Sequence, residues 1–523
     1  MISYTSFSFF LLYFGITFVI YSLVPQKAKW VVALCGSYVF YFISGKGHIL
    51  QIIASTLIIW GIGLWLQKLN DTQKAKKKGL SRDEKKALKK RYNKYKQAVL
   101  ALGVIGTMGI LMVSKYSNFF IDTTNALFST DIKNVKFIQP LGISFYTLQA
   151  VSYITDIHRG KYKAEKNPFR VALYLSFILT IVEGPVARYD QLGVQLQQGG
   201  RLEPRNIVSG AQRVLWGLFK KIVVADRAAM LVAAVFDNGD GVTGFPVVMA
   251  ILFYTLQLYL EFSGIMDVMC GLGEMMGITM PENFNRPFFA KTINEFWQRW
   301  HITLGSWLRD YIFYPISLSK PFMSLSKSAR KKFDAYYSNL IPTAVALFFV
   351  WFGNGFWHGS GWKYITYGLY YYVLMMLGLF LEPLFRKICS NLKIDRKSTP
   401  FQVFQVIRTF IIVNLGMLIF RADSLTRAKD MLKAIFTAGG KPFSFTSTIV
   451  GLSYKDYAVI AVGTAIVLGV SIAQEKGVNI RERIARLPYA AKFVLFMLAA
   501  FAVIIFGAYG EGYGVVDLIY ANF

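Results

Sequence analysis

Four histidines occur in the chain, and two of them, His301 and His358, lie in unusual surroundings. His301 lies among tryptophans and charged residues in FWQRWHITL, and His358 lies among glycines and tryptophan in GNGFWHG. A neutral imidazole in an apolar cavity can take a proton from a hydroxyl group. That would make a sugar or tyrosine hydroxyl nucleophilic toward an activated acyl group. The alternative for each histidine is a structural role, buried and hydrogen-bonded between helices.

Other common catalytic signatures are missing from the sequence. There is no GxSxG, HExxH or GxxxxGK[ST] segment, which argues against the hydrolases, zinc proteases and P-loop enzymes that carry them. The glycines of 353–359 follow no strand of a βαβ unit, so they do not predict a nucleotide site. No histidine pair has metal-ligand spacing and no cysteine lies near, so we predict no metal site. The three cysteines are widely separated and indicate no disulfide framework.

The element that must position His301 is a polar helix within 281–316. Apolar residues recur at helical spacing; they are Phe296, Trp300, Leu304, Trp307, Leu308 and Tyr311. Glu295 and Arg299 are spaced i, i+4 and can pair. Two prolines in PENFNRPFF, residues 281–289, should break any helix just before this one. So polar a helix is predicted to lie at the membrane interface or beside a water-filled cavity.

The whole chain has the composition of an all-α polytopic membrane protein. Of its 523 residues, 54% are hydrophobic and 17% charged. Stretches such as 6–25 and 49–66 are long enough to cross a bilayer, which takes roughly 20 residues. Counting all such stretches predicts about 10 to 13 transmembrane helices in one integral-membrane domain, 1–523, some of them re-entrant.

The net charge of +29 does not indicate nucleic-acid binding, because the charge is clustered. Residues 74–96 contain twelve lysines and arginines, within a predicted basic loop, 68–97. The positive-inside rule places this loop in the cytoplasm, where it can also contact anionic membrane lipids. Three predicted spans precede it, so the N-terminus is predicted to lie outside. The basic stretch 327–339 should then also face the cytoplasm.

Several blocks of the sequence resemble the membrane-bound O-acyltransferase (MBOAT) family. NFNRPFFAKTINEFWQRWHITLGSWLRDYIFYPI, residues 283–316, resembles the central motif of that family, and FWHGSGWKYITYGLYY, 356–371, resembles the segment with its hallmark histidine. Residues 139–160 and 183–192 resemble two blocks of the bacterial branch. IFRADSLTRAKDML, 419–432, resembles a late block of the alginate O-acetyltransferase membrane subunit. These blocks follow in order along almost the whole chain.

The resemblance implies a ring of helices around a central tunnel and a general base at His358, in the helix region 340–371. His301 matches the second histidine of the family and would orient the acyl carbonyl, relay a proton or line the tunnel. Further residues in or directly beside the matching blocks are expected to line the tunnel or contact the donor: Trp297, Arg299, Trp300, Asn354, Trp357 and Arg188. For Arg188, and for the intramembrane Glu261 and Asp267, structural ion pairing is an equal alternative.

The resemblance also implies a reaction in the bacterial cytoplasmic membrane. An acyl group, expected to be acetyl, would pass from a cytoplasmic thioester such as acetyl-CoA to hydroxyls of an exported polysaccharide, with an extracytoplasmic acetyltransferase as partner and no resident cofactor. D-alanyl transfer to teichoic acid is the alternative within the family, although the 419–432 block favours the first. A transporter or flippase without covalent chemistry and a scaffold for a soluble transferase are alternatives of other classes.

The chain ends in DLIYANF, residues 517–523, which resembles the C-terminal aromatic motif of this subgroup. A tyrosine hydroxyl can carry an acyl group between two transfer steps. Tyr520 is therefore a candidate acyl relay. The alternative is a tail that anchors at the membrane interface, where tyrosine is common.

Overall fold

The computed structural model describes residues 6, 8–45, 49–137, 139–239, 241–437, 439, 443–445, 450–509 and 513. Within these ranges the regular structure is helical, and the β-type pairing consists of one isolated antiparallel bridge between Phe284 and Trp300. The predicted all-α class is confirmed. His48 and the C-terminal segment 517–523 with Tyr520 lie outside the described residues.

The described residues pack as two units, Met1–Ala211 with Met269–Pro281, and Gln212–Val268 with Glu282–Phe523. The first unit contains these helices: Ile16–Leu23, Lys29–Ser44, Ile49–Lys76, Arg82–Phe128, Ile143–Arg159, Pro168–Ser176 and Val194–Gln198, with π-helical turns at Phe9–Gly15 and Tyr189–Gly193 and a 3-10 turn at Gln26–Ala28. Its core is built around Tyr153, Ile157 and Tyr174, which are fully buried.

The second unit contains these helices: Asp226–Phe236, Ile293–Arg299, Ile302–Leu308, Tyr314–Ser317, Lys320–Lys332, Ala335–His358, Trp362–Phe380, Glu382–Asn391, Thr399–Arg421, Leu425–Ala434, Tyr454–Glu475, Ile480–Ala485 and Tyr489–Phe506, with π-helical turns at Phe219–Ala225 and Arg309–Phe313 and a 3-10 turn at Pro287–Phe289. Two helices, Pro204–Leu218 and Phe245–Met275, have residues in both units. The core of the second unit includes Trp300, Tyr371 and Met417.

Seven of the described helices are long and apolar enough to cross a membrane, or eight if the bent pair Trp362–Phe380 and Glu382–Asn391 is one span. This number is lower than the 10 to 13 spans predicted from apolar stretches. The stretch 169–183 shows the reason: its helix ends at Ser176, and buried turns follow. Its apolar residues are covered by protein instead of lipid, and a hydropathy pattern cannot separate the two.

The basic segment 68–97 is helical except for a turn at 77–81, which differs from the predicted loop. Its residues extend two membrane helices, Ile49–Lys76 and Arg82–Phe128. A capping box starts the second helix, because the Ser81 amide donates to Glu84 Oε2 at 2.8 Å and the Glu84 amide donates to Ser81 Oγ at 3.4 Å. Lysine and arginine are good helix formers, so a charged sequence need not be a loop.

The prediction of one continuous polar helix within 281–316 is wrong. Helix Ile293–Arg299 ends at Trp300, whose backbone is extended, and a second helix, Ile302–Leu308, begins after His301. Phe296, Trp300, Leu304, Trp307 and Leu308 are nonetheless buried, as their spacing predicted. The predicted break before the helix is confirmed, since only a 3-10 turn, Pro287–Phe289, interrupts the irregular backbone of 281–292.

Candidate active site

The break between the two short helices places His301 in a left-handed backbone conformation, with φ 49° and ψ 50°. Such a conformation in a non-glycine residue costs on the order of 1–3 kcal/mol and needs support from its surroundings. The support comes from 283–285, where the Ile302 amide donates to the Asn283 carbonyl at 3.0 Å and the Asn285 amide donates to the Arg299 carbonyl at 2.9 Å. These bonds replace helical ones lost at the break.

The His301 imidazole is 2% exposed, and its Nδ1 lies 3.2 Å from Asn283 Oδ1. The same oxygen accepts hydrogen bonds from the Thr303 amide at 3.1 Å and from Thr303 Oγ1 at 2.9 Å. Its ring meets the Phe262 ring edge-on, with centroids 4.9 Å apart. Burial, followed by the nearby His358, lowers the pKa of His301 well below its usual value. The imidazole is therefore neutral near pH 7.

His358 is the last residue of helix Ala335–His358 and is 4% exposed. Its Nδ1 lies 2.8 Å from the carbonyl oxygen of Asn354. A carbonyl oxygen only accepts, so Nδ1 carries the proton and Nε2 carries the lone pair. The rings of Tyr367 and Phe420 lie 5.9 Å and 5.5 Å from the imidazole centroid. This neutral, aromatic surrounding suits a general base.

The structure brings His301 and His358 together around one tryptophan. The Trp357 ring centroid is 5.8 Å from that of His301 and 5.0 Å from that of His358. Asn354 lies one turn before His358, and its Oδ1 is buried without a hydrogen-bond partner among the described residues. Four residues predicted from two motifs thus form one cluster, which is the candidate active site.

The other predicted lining residues occupy different positions. Trp297 and Trp300 are part of an aromatic cluster: the Trp297 ring lies 4.8 Å from that of Tyr371, and the Trp300 ring lies 5.5 Å from that of Phe296. Both indoles therefore hold the first short helix in the core of the second unit. Arg188 is buried in the first unit, where it precedes the π-helical turn Tyr189–Gly193.

Arg299 belongs to an ion-pair cluster instead of the histidine site. Its guanidinium pairs with Glu295 at 2.8 Å, as the spacing predicted, and also with Glu475 at 3.0 Å. Arg286 pairs with the same Glu475 at 2.6 Å. Neighbouring Glu475 raises the pKa of Arg299, so the guanidinium stays charged. The cluster ties the broken-helix segment to the end of helix Tyr454–Glu475.

Sequence reasoning missed two residues of the site, Asn283 and Tyr367. Asn283 is 1% exposed and contacts His301 through its side chain, and Tyr367 is 2% exposed with its ring against His358. Both lie inside the blocks quoted from the sequence, so the resemblance marked the segments. No helical spacing links either residue to a histidine, because the contacts join separate elements.

A cavity of about 970 Å³ lies within the second unit; Asn283 and Ile302 line it, whereas His301 and His358 do not. Part of its wall is apolar and comes from helices Tyr454–Glu475 and Tyr489–Phe506. Polar residues also line it, among them Ser263 and Gln474. A cavity of this size matches the volumes of small-molecule sites, which run from roughly 300 to 1,000 Å³.

Glu261 and Asp267, on helix Phe245–Met275, are engaged in ion pairs. Glu261 lies 3.3 Å from Lys221 Nζ, and Asp267 lies 2.7 Å from Lys220 Nζ and 2.9 Å from Arg213. The structural alternative therefore holds for both carboxylates. Buried charges of this kind need such partners, since an unpaired ion in a low-dielectric interior is costly.

A model of the membrane-bound O-acyltransferase (MBOAT) family matches residues 38–420, which include both histidines. The chain belongs to this family. As a member of the MBOAT family it is an O-acyltransferase, and the transporter and scaffold alternatives are set aside.

Named relatives of this MBOAT chain fall into three groups. It is 31% identical to "Probable alginate O-acetylase AlgI" of Azotobacter vinelandii over 454 residues, which cover 85% of this chain and 81% of the relative. It is 30% identical to a peptidoglycan O-acetyltransferase of Helicobacter pylori, with 66% of each chain covered. It is 28% identical to a teichoic acid D-alanyltransferase of Bacillus subtilis, over 54% of this chain and 68% of the relative.

Proposed function

We propose that the protein transfers an acetyl group from a thioester donor to hydroxyl groups of an exported polysaccharide. The observation that supports the reaction best is the pair of buried histidines that share the Trp357 ring, at 5.8 Å and 5.0 Å. Each Nδ1 faces an oxygen acceptor, so each Nε2 is the basic nitrogen. Two buried imidazoles in an apolar surrounding are suited to act as the base and the proton relay of one acyl transfer.

In the proposed mechanism, Nε2 of His358 takes the proton of the acceptor hydroxyl while that oxygen attacks the thioester carbonyl. The C–S bond then breaks, the acyl–oxygen bond remains, and the thiolate receives the proton from the imidazolium. Nε2 of His301 carries a lone pair and cannot donate a hydrogen bond to the carbonyl, so the position of His301 across Trp357 suits it to relay the proton. Burial strengthens each of these hydrogen bonds, because electrostatic interactions are larger in a low dielectric.

Acetyl is favoured over D-alanyl as the transferred group. The alginate O-acetylase and peptidoglycan O-acetyltransferase relatives align with 85% and 66% of this chain, whereas the D-alanyltransferase aligns with 54%. The late IFRADS block agrees with that preference. Acetyl-CoA is the proposed donor. Basic segments on the cytoplasmic side would attract this anionic donor.

We also propose in which membrane, and with which partner, the reaction takes place. The protein would lie in the bacterial cytoplasmic membrane with its N-terminus outside, and an extracytoplasmic acetyltransferase would complete transfer to the polysaccharide. The tunnel of the family would carry the acyl group between the two sides. Tyr520 stays a candidate relay on the same path.

The test is reconstitution in vesicles with acetyl-CoA labelled in its acetyl group, measuring CoA release and label on the protein. We expect His358→Ala to reduce CoA release by at least about a hundredfold, since general-base catalysis contributes roughly 10²–10⁴. His301→Ala should also reduce it. His158→Ala is the matched control, because His158 lies in the first unit, outside the candidate site.

Wild-type rates in well-folded His358→Ala and His301→Ala would refute the assigned roles. No release by wild type would reject acetyl-CoA as sole donor, and D-alanyl carrier protein would be tried next. Label present on wild type and absent from Tyr520→Phe would support the relay. Equal label on both proteins would reject it.

A further inference from the structure

We propose that Asn283 is the positioning residue that fixes His301 in the tautomer with the proton on Nδ1 and the lone pair on Nε2. This inference rests on the proposed role of His301 in acyl transfer. It assigns a function to a residue outside the predicted site, and it explains why a buried amide lies directly beside the histidine.

The orientation of the Asn283 amide follows from its neighbours. The Thr303 backbone amide can only donate, and it lies 3.1 Å from the Asn283 side-chain atom that also faces His301. That atom must therefore be the oxygen, because a flipped amide would place two donors against each other. The Thr303 hydroxyl, at 2.9 Å, completes three donors around the same oxygen.

The tautomer of His301 follows from the orientation of Asn283. An amide oxygen accepts and cannot donate, so the imidazole nitrogen 3.2 Å away must carry a hydrogen. In a neutral ring the second nitrogen, Nε2, is then the basic one. The Trp357 and Phe262 rings flank the imidazole and limit its rotation away from Asn283.

Asn283 also holds the backbone that presents the ring. Its carbonyl accepts from the Ile302 amide at 3.0 Å, directly after the left-handed His301. One residue therefore supports both the strained backbone and the ring nitrogen. A substitution of the side chain alone leaves the backbone bond in place, so the two contributions are separable.

The groups that face His301 are mostly uncharged. Helix Ala335–His358 supplies His358, which is titratable, and the ring of Trp357. Helix Phe245–Met275 supplies the Phe262 ring, and the segment before the short helices supplies the Asn283 amide. The substitution Asn283→Asp would place a carboxylate against Nδ1 and favour the imidazolium, which cannot act as a base.

The first test compares full-length wild type, Asn283→Leu and Asn283→Asp in vesicles, with acetyl-CoA as the probe. We expect Asn283→Leu to lower kcat by at least about twofold with little change in KM, because only part of the molecules then keep the lone pair of His301 on Nε2. Asn283→Asp should keep activity at high pH and move the acidic limb of the rate profile to higher pH. Unchanged kcat in folded Asn283→Leu, or an unmoved profile in Asn283→Asp, would overturn the proposal.

Asn414→Leu is the matched control for loss of a buried amide. Asn414 is 6% exposed, accepts from Thr255 Oγ1 at 2.7 Å and donates to the Phe410 carbonyl at 2.8 Å. It contacts neither histidine in these bonds. We expect Asn414→Leu to lower thermal stability while leaving kcat per folded molecule unchanged. An equal loss of kcat in Asn414→Leu and Asn283→Leu would indicate a merely structural role for Asn283.

The second test does not depend on the donor. Nitrogen NMR of purified protein with isotope-labelled histidine, assigned with His301→Gln, distinguishes protonated from unprotonated ring nitrogens. We expect a protonated Nδ1 and an unprotonated Nε2 for His301 in wild type, and a mixture in Asn283→Leu. A protonated Nε2 in wild type would refute the inference. Full activity of His301→Ala would refute the proposed role itself, whereas an inactive His301→Ala with an active Asn283→Leu would refute this inference alone.

Discussion

At the scale of single residues, His301 combines three unfavourable features: a buried imidazole, a left-handed backbone and a position beside a second histidine. Each is costly for folding, and burial together with the second histidine also keeps the imidazole unprotonated, as a neutral base requires. Asn283 and Thr303 offset part of the cost through hydrogen bonds to one another and to the ring. Because burial lowers the pKa of His301 in the native protein, the free energy of unfolding should depend on pH.

We predict that stability decreases as the pH falls below about 6.5, the ordinary histidine pKa. The pKa of native His301 is lowered by burial, so between the two pKa values the unfolded chain binds a proton that the native protein does not. Stability then rises with pH, by about 1.4 kcal/mol per pH unit for one such group. Thermal unfolding at several pH values would measure this.

His301→Gln is the comparison, because glutamine keeps an amide in place of the imidazole and does not titrate. We expect a shallower dependence of its melting temperature on pH in the acidic range. Identical dependence in both proteins would show that His301 does not set the acid stability.

At the scale of elements, the site depends on the close approach of helices Ala335–His358 and Trp362–Phe380. A Cβ added at Gly355 would lie 2.3 Å from the Tyr364 carbonyl oxygen, and one at Gly368 would lie 2.3 Å from the Trp351 carbonyl oxygen. Backbone atoms cannot yield to such a contact without moving a helix. In a bilayer the hydrophobic effect does not drive helices together, so their association depends on close van der Waals packing. Small residues such as glycine allow the two backbones to approach closely enough for that packing.

We predict that Gly355→Ala and Gly368→Ala each destabilise the protein by about 1–3 kcal/mol, the usual cost of overpacking. Gly355→Ala should also reduce acyl transfer, because Gly355 lies one turn before His358. Gly378→Ala, in the same second helix, meets nothing within 4 Å and should be neutral or slightly stabilising. Unfolding of the three variants side by side tests this; equal stability of all three would contradict the tight packing.

At the scale of the whole molecule, charge and apolar length determine how the chain lies in the membrane. The turn 77–81 joins two long apolar helices with basic ends. The positive-inside rule favours the cytoplasm for this turn. With the turn in the cytoplasm, the largest concentration of positive charge would lie on the same side as the proposed acetyl-CoA donor, so the predicted orientation and the proposed donor are linked.

We predict that the cysteine of a Lys77→Cys variant, as the single cysteine of the protein, reacts with a membrane-impermeant thiol reagent only from the cytoplasmic side. The protein that receives this substitution should first have its three free thiols replaced by serine, so that the reagent labels only position 77. The replaced residues are Cys35, Cys270 and Cys389. Inside-out and right-side-out vesicles give the two accessibilities. Labelling in right-side-out vesicles alone would place the basic turn outside and reverse the proposed topology.

The sequence alone determined the class of the protein and marked the segments that contain His301 and His358. Apolar stretches imposed helices, because a bilayer core requires backbone groups to be satisfied within each segment. The prolines in 281–289 marked a real interruption of helical structure. The spacing of Glu295 and Arg299 predicted their ion pair. All of these are local effects, which a sequence pattern records.

Only the tertiary structure decided how the site is assembled. The break at His301, the neighbouring Asn283 amide and the shared Trp357 ring all join segments that are separate along the chain. Helical periodicity favoured an unbroken helix because it reflects only the spacing of side chains along one segment. The break depends on backbone hydrogen bonds between 283–285 and 299–302, which such spacing does not record. The structure also has fewer membrane-spanning helices than the sequence predicted. An apolar helix covered by protein has the same composition as one covered by lipid, so composition does not distinguish them.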